Sequence, residues 1–218
     1  MFSSRPSQSY GAQLQHTPSN ASYRPPPQRY STPYGGGGYG PPPGADPQLW
    51  QWFSSVDVDR SGSISVTELQ RALVNGNWTN FDLDTVKMLM NIFDTDRSGT
   101  IGFAEFSGLW KYIADWQNVF RHFDKDRSGS IEGPELSAAL RSFGYNLSPS
   151  ILSLIEQKYA TGPSEGYGPP PGITFDRFVR ACVVVKTLTE SFQRIDTDRD
   201  GWITVNYEQF MKIVLQAP

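Results

Sequence analysis

Aspartate, serine and glutamate recur in this chain at one spacing, and that spacing makes an oxygen cage for a hard cation. Asp57–Glu68 reads DVDRSGSISVTE, Asp94–Glu105 reads DTDRSGTIGFAE, Asp124–Glu135 reads DKDRSGSIEGPE and Asp196–Tyr207 reads DTDRDGWITVNY. Side-chain oxygens at the first, third and fifth places converge, glycine at the sixth permits a sharp turn, the seventh offers a backbone carbonyl, and a glutamate at the twelfth adds two oxygens. The expected ligands are therefore Asp57, Asp59, Ser61, the Ser63 carbonyl and Glu68 in the first loop. They are Asp94, Asp96, Ser98, the Thr100 carbonyl and Glu105 in the second, and Asp124, Asp126, Ser128, the Ser130 carbonyl and Glu135 in the third. At the ninth place, which often binds through water, stand Ser65, Gly102 and Glu132. The third loop, with four carboxylates against three, is expected to bind at least as tightly as the others. Carboxylates crowded in this way repel one another until a divalent ion neutralises them, and the ion expected is Ca2+. The last loop keeps Asp196, Asp198, Asp200 and the Trp202 carbonyl, but its twelfth place is Tyr207, with Glu208 one residue late. Without the bidentate glutamate it is expected to be structural, holding at most a weak magnesium or calcium ion.

Other chemistry is excluded by shortage of material. One cysteine, Cys182, and two histidines, His16 and His122, make neither a zinc cage nor a Cys/His nucleophile, so no enzyme is expected.

Such loops must be entered by amphipathic helices. Leu49, Trp52, Phe53 and Val56 precede Asp57 at helical spacing; Val86, Leu89, Met90 and Phe93 precede Asp94; Trp116, Val119, Phe120 and Phe123 precede Asp124. Leu188, Phe192 and Ile195 precede Asp196, with Ser191 in one place of the stripe. Ile64, Ile101 and Ile131, at the eighth loop place, belong in short strands between paired loops. A further unit lies between the third and last loops, with an entering helix at 150–159 and a loop exit at Ile173–Phe178. Its loop runs 18 residues, from Ala160 to Arg177, and those end residues cannot ligate a cation. Glu105 to Asp124 and Arg177 to Asp196 are each 19 residues without turn signals, so each reads as one helix shared by two units. The longer gaps carry the turns NGNW and FGYNLSP. Units one and two therefore pair, three and four pair, and the fifth is left over. Ile203, with Trp202 and Thr204, lacks a strand partner within the chain. The last helix offers Tyr207, Phe210, Met211 and Val214 as an apolar face for a two-fold contact. The expected class is all-α: five helix–loop–helix units at 46–218.

Residues 1–45 differ in kind. They hold nine Pro, seven Gly, five Tyr and three Arg, and no Asp or Glu. This tail is expected to be disordered, because it cannot bury enough surface to offset its ordering entropy. The heptapeptide GYGPPPG occurs at Gly38–Gly44 and again at Gly166–Gly172, inside the long fourth loop. It reads either as a low-complexity insertion or as a polyproline-type ligand with a Tyr anchor, able to fill a pocket on the same or a neighbouring subunit. A net charge of −3 speaks against nucleic-acid partners. No run of 18 apolar residues and no apolar leader occur, and a single Cys fits a reducing, cytoplasmic compartment. Trp52, Trp78, Trp110 and Trp116 are expected in the core, with Trp110 and Trp116 on the shared helix where a calcium-driven movement would open a partner pocket. Cys182 reads as core packing.

Five calcium-loop units, shared helices and a Gly/Pro/Tyr-rich tail resemble the penta-EF-hand family, and the stretches ELQRALVNGNW, WKYIADWQNVF, SFGYNLSP and DTDRDGWITVNYEQF carry the likeness. The resemblance implies a calcium sensor and adaptor that dimerises through its fifth hand, with its own copy or with another penta-EF-hand chain. It implies apolar pockets, exposed on calcium binding, for Pro-rich and often Tyr-containing protein segments. It further implies peripheral membrane association through partners, in the endosomal sorting machinery and at endoplasmic-reticulum exit sites. A regulatory subunit of a calcium-dependent protease and a simple calcium buffer are the alternatives.

Overall fold

The computed structural model describes residues 39–161 and 172–217. Among the described residues there are eight helices: α1 (Pro47–Val56), α2 (Val66–Ala72), α3 (Leu83–Phe93), α4 (Phe103–Phe123), α5 (Gly133–Ser142), α6 (Pro149–Tyr159), α7 (Phe175–Ile195) and α8 (Tyr207–Leu215). Two short strands, β1 (Ser63–Ile64) and β2 (Ile101–Gly102), complete the set. None of these helices is long and apolar enough to cross a membrane.

Local chemistry starts the helices where they begin. Asp46 accepts hydrogen bonds from the Gln48 and Leu49 N–H groups at 2.8 and 3.0 Å, and Pro47 follows it where a missing donor costs nothing. Ser148 with Pro149 repeats the device at α6, and Asp82 caps α3. The two turn-free gaps are single 21-residue helices, α4 and α7, each serving two hands.

Pairing follows the isoleucines. β1 and β2 are antiparallel, with Ile64 opposite Ile101, which joins hands one and two. Ile131 and Ile173 exchange backbone hydrogen bonds of 2.8 and 2.9 Å, which joins hands three and four. All four side chains are among the largest that are fully buried, together with Phe53, Phe106 and Phe178. Trp116 meets Phe143 and Phe178 edge-on, and Phe120 meets Phe175 and Phe178, so the two pairs share one core.

A polar clamp also ties the pairs together. The buried Asp176 carboxylate accepts from the Asp82 N–H and the Thr174 hydroxyl, both at 2.6 Å, while the Asp176 N–H donates to the Asn75 Oδ1 at 3.1 Å. Arg177 pairs with Asp82 at 3.1 Å and Arg180 with Asp84 at 3.1 Å.

The tryptophans divide. Trp116 is buried and Trp110 half-buried, but Trp52 and Trp78 are on the surface, contrary to the expectation that all four would be core. Trp78 is 89% exposed because the turn that carries it holds its backbone at φ +66°, with its N–H on the Asn75 carbonyl, which points the indole outward. Cys182 is buried as expected, and burial pushes its thiol pKa up. Of the Gly/Pro/Tyr-rich tail, residues 1–38 lie outside the described residues, so the expected disorder there is not described. Residues 39–45 form a turn, Ala45 N–H to the Pro42 carbonyl at 3.0 Å, and the Tyr39 ring packs on Trp50 with centroids 5.4 Å apart. Most of the second heptapeptide, 166–171, also lies outside the described residues.

Candidate metal centres

Each loop begins where its entering helix stops. The N–H groups of Asp57, Asp94, Asp124 and Asp196 each bond the carbonyl four residues back, at 2.8–2.9 Å. The chain then turns through two left-handed residues, an arginine at the fourth place and a glycine at the sixth. Arg60, Arg97, Arg127 and Arg199 have φ between +57° and +59°; Gly62, Gly99, Gly129 and Gly201 lie between +79° and +85°. Only glycine takes such a φ without cost, so the sixth place is conformationally demanded and the fourth is held by the loop around it.

This path turns N–H groups inward onto the first aspartate. Asp57 accepts from Ser61 at 3.0 Å and Gly62 at 2.9 Å; Asp94 accepts from Ser98 at 2.9 Å and Gly99 at 2.8 Å; Asp124 accepts from Ser128 at 3.0 Å and Gly129 at 3.1 Å. The third-place aspartates, Asp59, Asp96 and Asp126, accept from the same serine N–H groups at 2.9, 2.9 and 3.0 Å. The fifth-place hydroxyls of Ser61, Ser98 and Ser128 donate to the seventh-place carbonyls of Ser63, Thr100 and Ser130.

The closing glutamate is supplied by the exit helix. Glu68, Glu105 and Glu135 each sit at the third helical position and accept from the N–H of the helix cap, Ser65, Gly102 and Glu132, at 2.9, 2.9 and 3.2 Å. Their other oxygens reach across the loop to the N–H groups of Val58, Thr95 and Lys125 at 2.9, 2.8 and 2.7 Å. The result is three carboxylate triads, Asp57/Asp59/Glu68, Asp94/Asp96/Glu105 and Asp124/Asp126/Glu135, whose oxygens lie within 4.8 Å of one another.

Electrostatics separate the three. Burial opposes ionisation of Glu68, but hydrogen bonds from Ser65, Asp59 and Val58 outweigh it and leave its pKa below the ordinary value. Asp94 is likewise disfavoured by burial and brought below its ordinary value by the Gly99 and Ser98 N–H groups. Asp124 goes the other way: burial dominates, the Glu135 charge adds to it, and its pKa is raised.

The last loop has the same front half. Asp196, Asp198 and Asp200 form a fourth triad within 4.8 Å, and Asp196 accepts from Asp200 at 3.2 Å and Gly201 at 3.1 Å. Its back half differs. The helix cap is Asn206, paired reciprocally with Gln209, so α8 begins at Tyr207, two residues later than the other exit helices begin relative to their loops. Glu208 faces Lys212 at 2.7 Å instead of the loop. Among the described residues the fourth unit shows no acidic cage: Thr161 and Gly172 bridge at its neck, and Arg177 points its guanidinium at Asp82.

The Asp176 clamp and the docked Tyr39 went unforeseen. Asp176 lies 94 residues from Asp82 and 101 from Asn75, so no local pattern marks it.

Comparison with known proteins agrees with this geometry. A model of the EF-hand domain pair matches residues 48–111, an EF-hand domain model matches 115–144, and an EF-hand model matches 189–206. Peflin of Xenopus laevis is 42% identical over 191 residues, spanning 83% of this chain; the chain spans 66% of that peflin's length, just under two thirds. Sorcin of Homo sapiens is 36% identical over 193 residues, spanning 83% of this chain and 92% of sorcin. Among solved structures, a homolog of programmed cell death 6 protein from Leishmania major is 30% identical, with a TM-score of 0.65 over 78% of this chain and 94% of that one.

Proposed function

The chain belongs to the penta-EF-hand family and binds calcium, and from that premise we propose that it is a calcium-switched adaptor that works as a pair of chains joined through hand five. The observation that carries the proposal is the state of α8. Not one of its residues is buried, and Trp202, Tyr207, Phe210, Val214 and Leu215 present apolar surface beside an unpaired Ile203 segment. An apolar face of that extent next to an open strand edge favours association with a copy of itself or with a related chain.

In this reading the calcium ions sit in the three complete cages. The ligands are Asp57, Asp59, Ser61, the Ser63 carbonyl and Glu68; Asp94, Asp96, Ser98, the Thr100 carbonyl and Glu105; and Asp124, Asp126, Ser128, the Ser130 carbonyl and Glu135. Glu68, Glu105 and Glu135, which accept from the N–H groups of Val58, Thr95 and Lys125, would turn their carboxylates to a bound ion, and each exit helix would shift relative to its entering helix. Hand five is structural and serves for pairing, and Asp196, Asp198, Asp200 and the Trp202 carbonyl would hold at most a weak magnesium or calcium ion. The domain spans 46–218, and residues 1–45 are an appended segment.

The opening would act on the aromatic surface of α4. Trp110 stacks on Trp52 with centroids 4.7 Å apart, and a narrow cavity between α3, α4 and α7 is lined by Phe81, Leu89, Tyr112, Trp116, Phe175 and Val179. Such walls suit Pro-rich segments, whose low-entropy backbone docks against aromatic rings. The adaptor is placed in the cytoplasm and reaches endosomal or exit-site membranes through partners. Retrieval of proteins from lysate with calcium against chelator tests the switch. A calcium-dependent set of Pro-rich partners is expected, and identical retrieval in both, with calcium demonstrably bound, would reduce the protein to a buffer.

A further inference from the structure

The repeated heptapeptide has a structural answer at its first copy. Tyr39 is the anchor: its ring lies on Trp50 at 5.4 Å and 48°, and it is 39% exposed. Trp50 is itself fixed by Phe53 at 5.4 Å and by Phe103, edge-on, at 5.3 Å. Pro41, Pro42 and Pro43 that follow are exposed, and the Pro42 carbonyl accepts only the local Ala45 N–H. Docking therefore rests on one ring, which a second Tyr-Gly-Pro-Pro-Pro segment reproduces.

That second segment is mounted on the chain in a specific way. Thr161 donates to the Gly172 carbonyl from its N–H at 2.9 Å and from its hydroxyl at 3.1 Å, which pins both ends of the fourth loop together. Gly172, the last residue of the heptapeptide, lies against Ser130 so closely that a Cβ there would stand 2.6 Å from the Ser130 Cβ. The neck is thus built into the hand-three and hand-four pair, while the residues between carry Tyr167 and three prolines.

We propose that the Trp50–Phe103 shelf is a binding site for Tyr-Gly-Pro-Pro-Pro segments, and that the fourth-loop heptapeptide Gly166–Gly172 exchanges with Tyr39 for it. This site lies where α1 of hand one meets the first residue of α4, apart from hand five.

The test uses the full chain and a synthetic peptide of residues 162–172, GPSEGYGPPPG, followed through the tryptophan indole resonances, with Trp50 assigned by Trp50→Phe. The Tyr39→Ala chain should bind the peptide saturably with a shift at the Trp50 indole. The unaltered chain should bind it about tenfold more weakly, because its own tethered Tyr39 competes at high local concentration. A peptide carrying Tyr167→Ala should not bind, and one carrying Tyr167→Phe, which keeps the ring, should bind. Within the intact chain, adding Tyr167→Ala to Tyr39→Ala should move the Trp50 resonance again. A concentration-dependent movement places the loop of a second copy on the shelf, and a concentration-independent one the loop of the same chain. No saturable shift at Trp50 with millimolar peptide, equal affinity of the two chains for it, or an unmoved Trp50 resonance in the double variant would each overturn the proposal. Unchanged circular dichroism and calcium stoichiometry keep any loss of binding from being a loss of fold.

Discussion

Replacing Phe210 with alanine should weaken the pairing of two chains while leaving each chain folded. The phenylalanine is 53% exposed within one chain, which for a side chain of roughly 200 Å² leaves about 100 Å² for a partner to cover. At about 25 cal/mol per Å² that area is worth about 2.5 kcal/mol, and alanine retains a part of it, so the loss is about 1.5–2 kcal/mol per chain. A two-fold contact counts the residue twice, giving about 3–4 kcal/mol per dimer, or two to three orders of magnitude in Kd. That figure is a ceiling, since ordering side chains on association takes some of it back, and a weakening between about tenfold and a thousandfold is expected. The same substitution should hardly change the unfolding of a single chain, because α8 contributes no buried residue. Sedimentation equilibrium across a concentration series, with thermal unfolding and calcium titration of the same samples, separates the two effects. A Kd changed by less than about threefold would refute the reasoning, as would an unaltered chain that stays monomeric at micromolar concentration.

Three other outcomes follow from the geometry. Glu68→Ala, Glu105→Ala and Glu135→Ala should each remove one calcium ion in titration calorimetry, since each deletes the bidentate ligand of one cage; full stoichiometry after any of them would contradict the ligand assignment. Asp176→Ala removes the acceptor of the half-buried Asp82 N–H and of the buried Thr174 hydroxyl and should cost about 1–3 kcal/mol, lowering the thermal midpoint by several degrees, whereas Asp176→Asn keeps an acceptor and should lose less. Calcium binding needs ionised carboxylates, and the Asp124 pKa is raised where that of Asp94 is lowered. On acidification hand three should therefore release its ion at a higher pH than hand two, as read from calcium titrations of Glu105→Ala and Glu135→Ala variants at stepped pH.

What could be read without coordinates is what depends on neighbours along the chain. A cage whose ligands fall within twelve residues is written into those residues, and the helical stripes ahead of Asp57, Asp94 and Asp124 are local as well. So are the two shared helices, because a turn-free gap of fixed length permits little else. The pairing of Ile64 with Ile101 and of Ile131 with Ile173 follows from the same repeat. Two placements show the limit of local reading. Trp78 has the composition of a core residue, yet a turn held at positive φ turns it to solvent. Tyr39 lies in a segment with almost no aliphatic residues, yet one ring finds Trp50. Tertiary structure alone decided the Asp176 clamp, which joins Asn75 and Asp82 to a helix about a hundred residues away. It also decided the late start of α8, which turns Glu208 from the last loop to Lys212. The physical reason is the same in each case: a hydrogen bond or ring contact between distant segments forms only after the repeated units have packed, and its partners leave no periodic mark in either segment by itself.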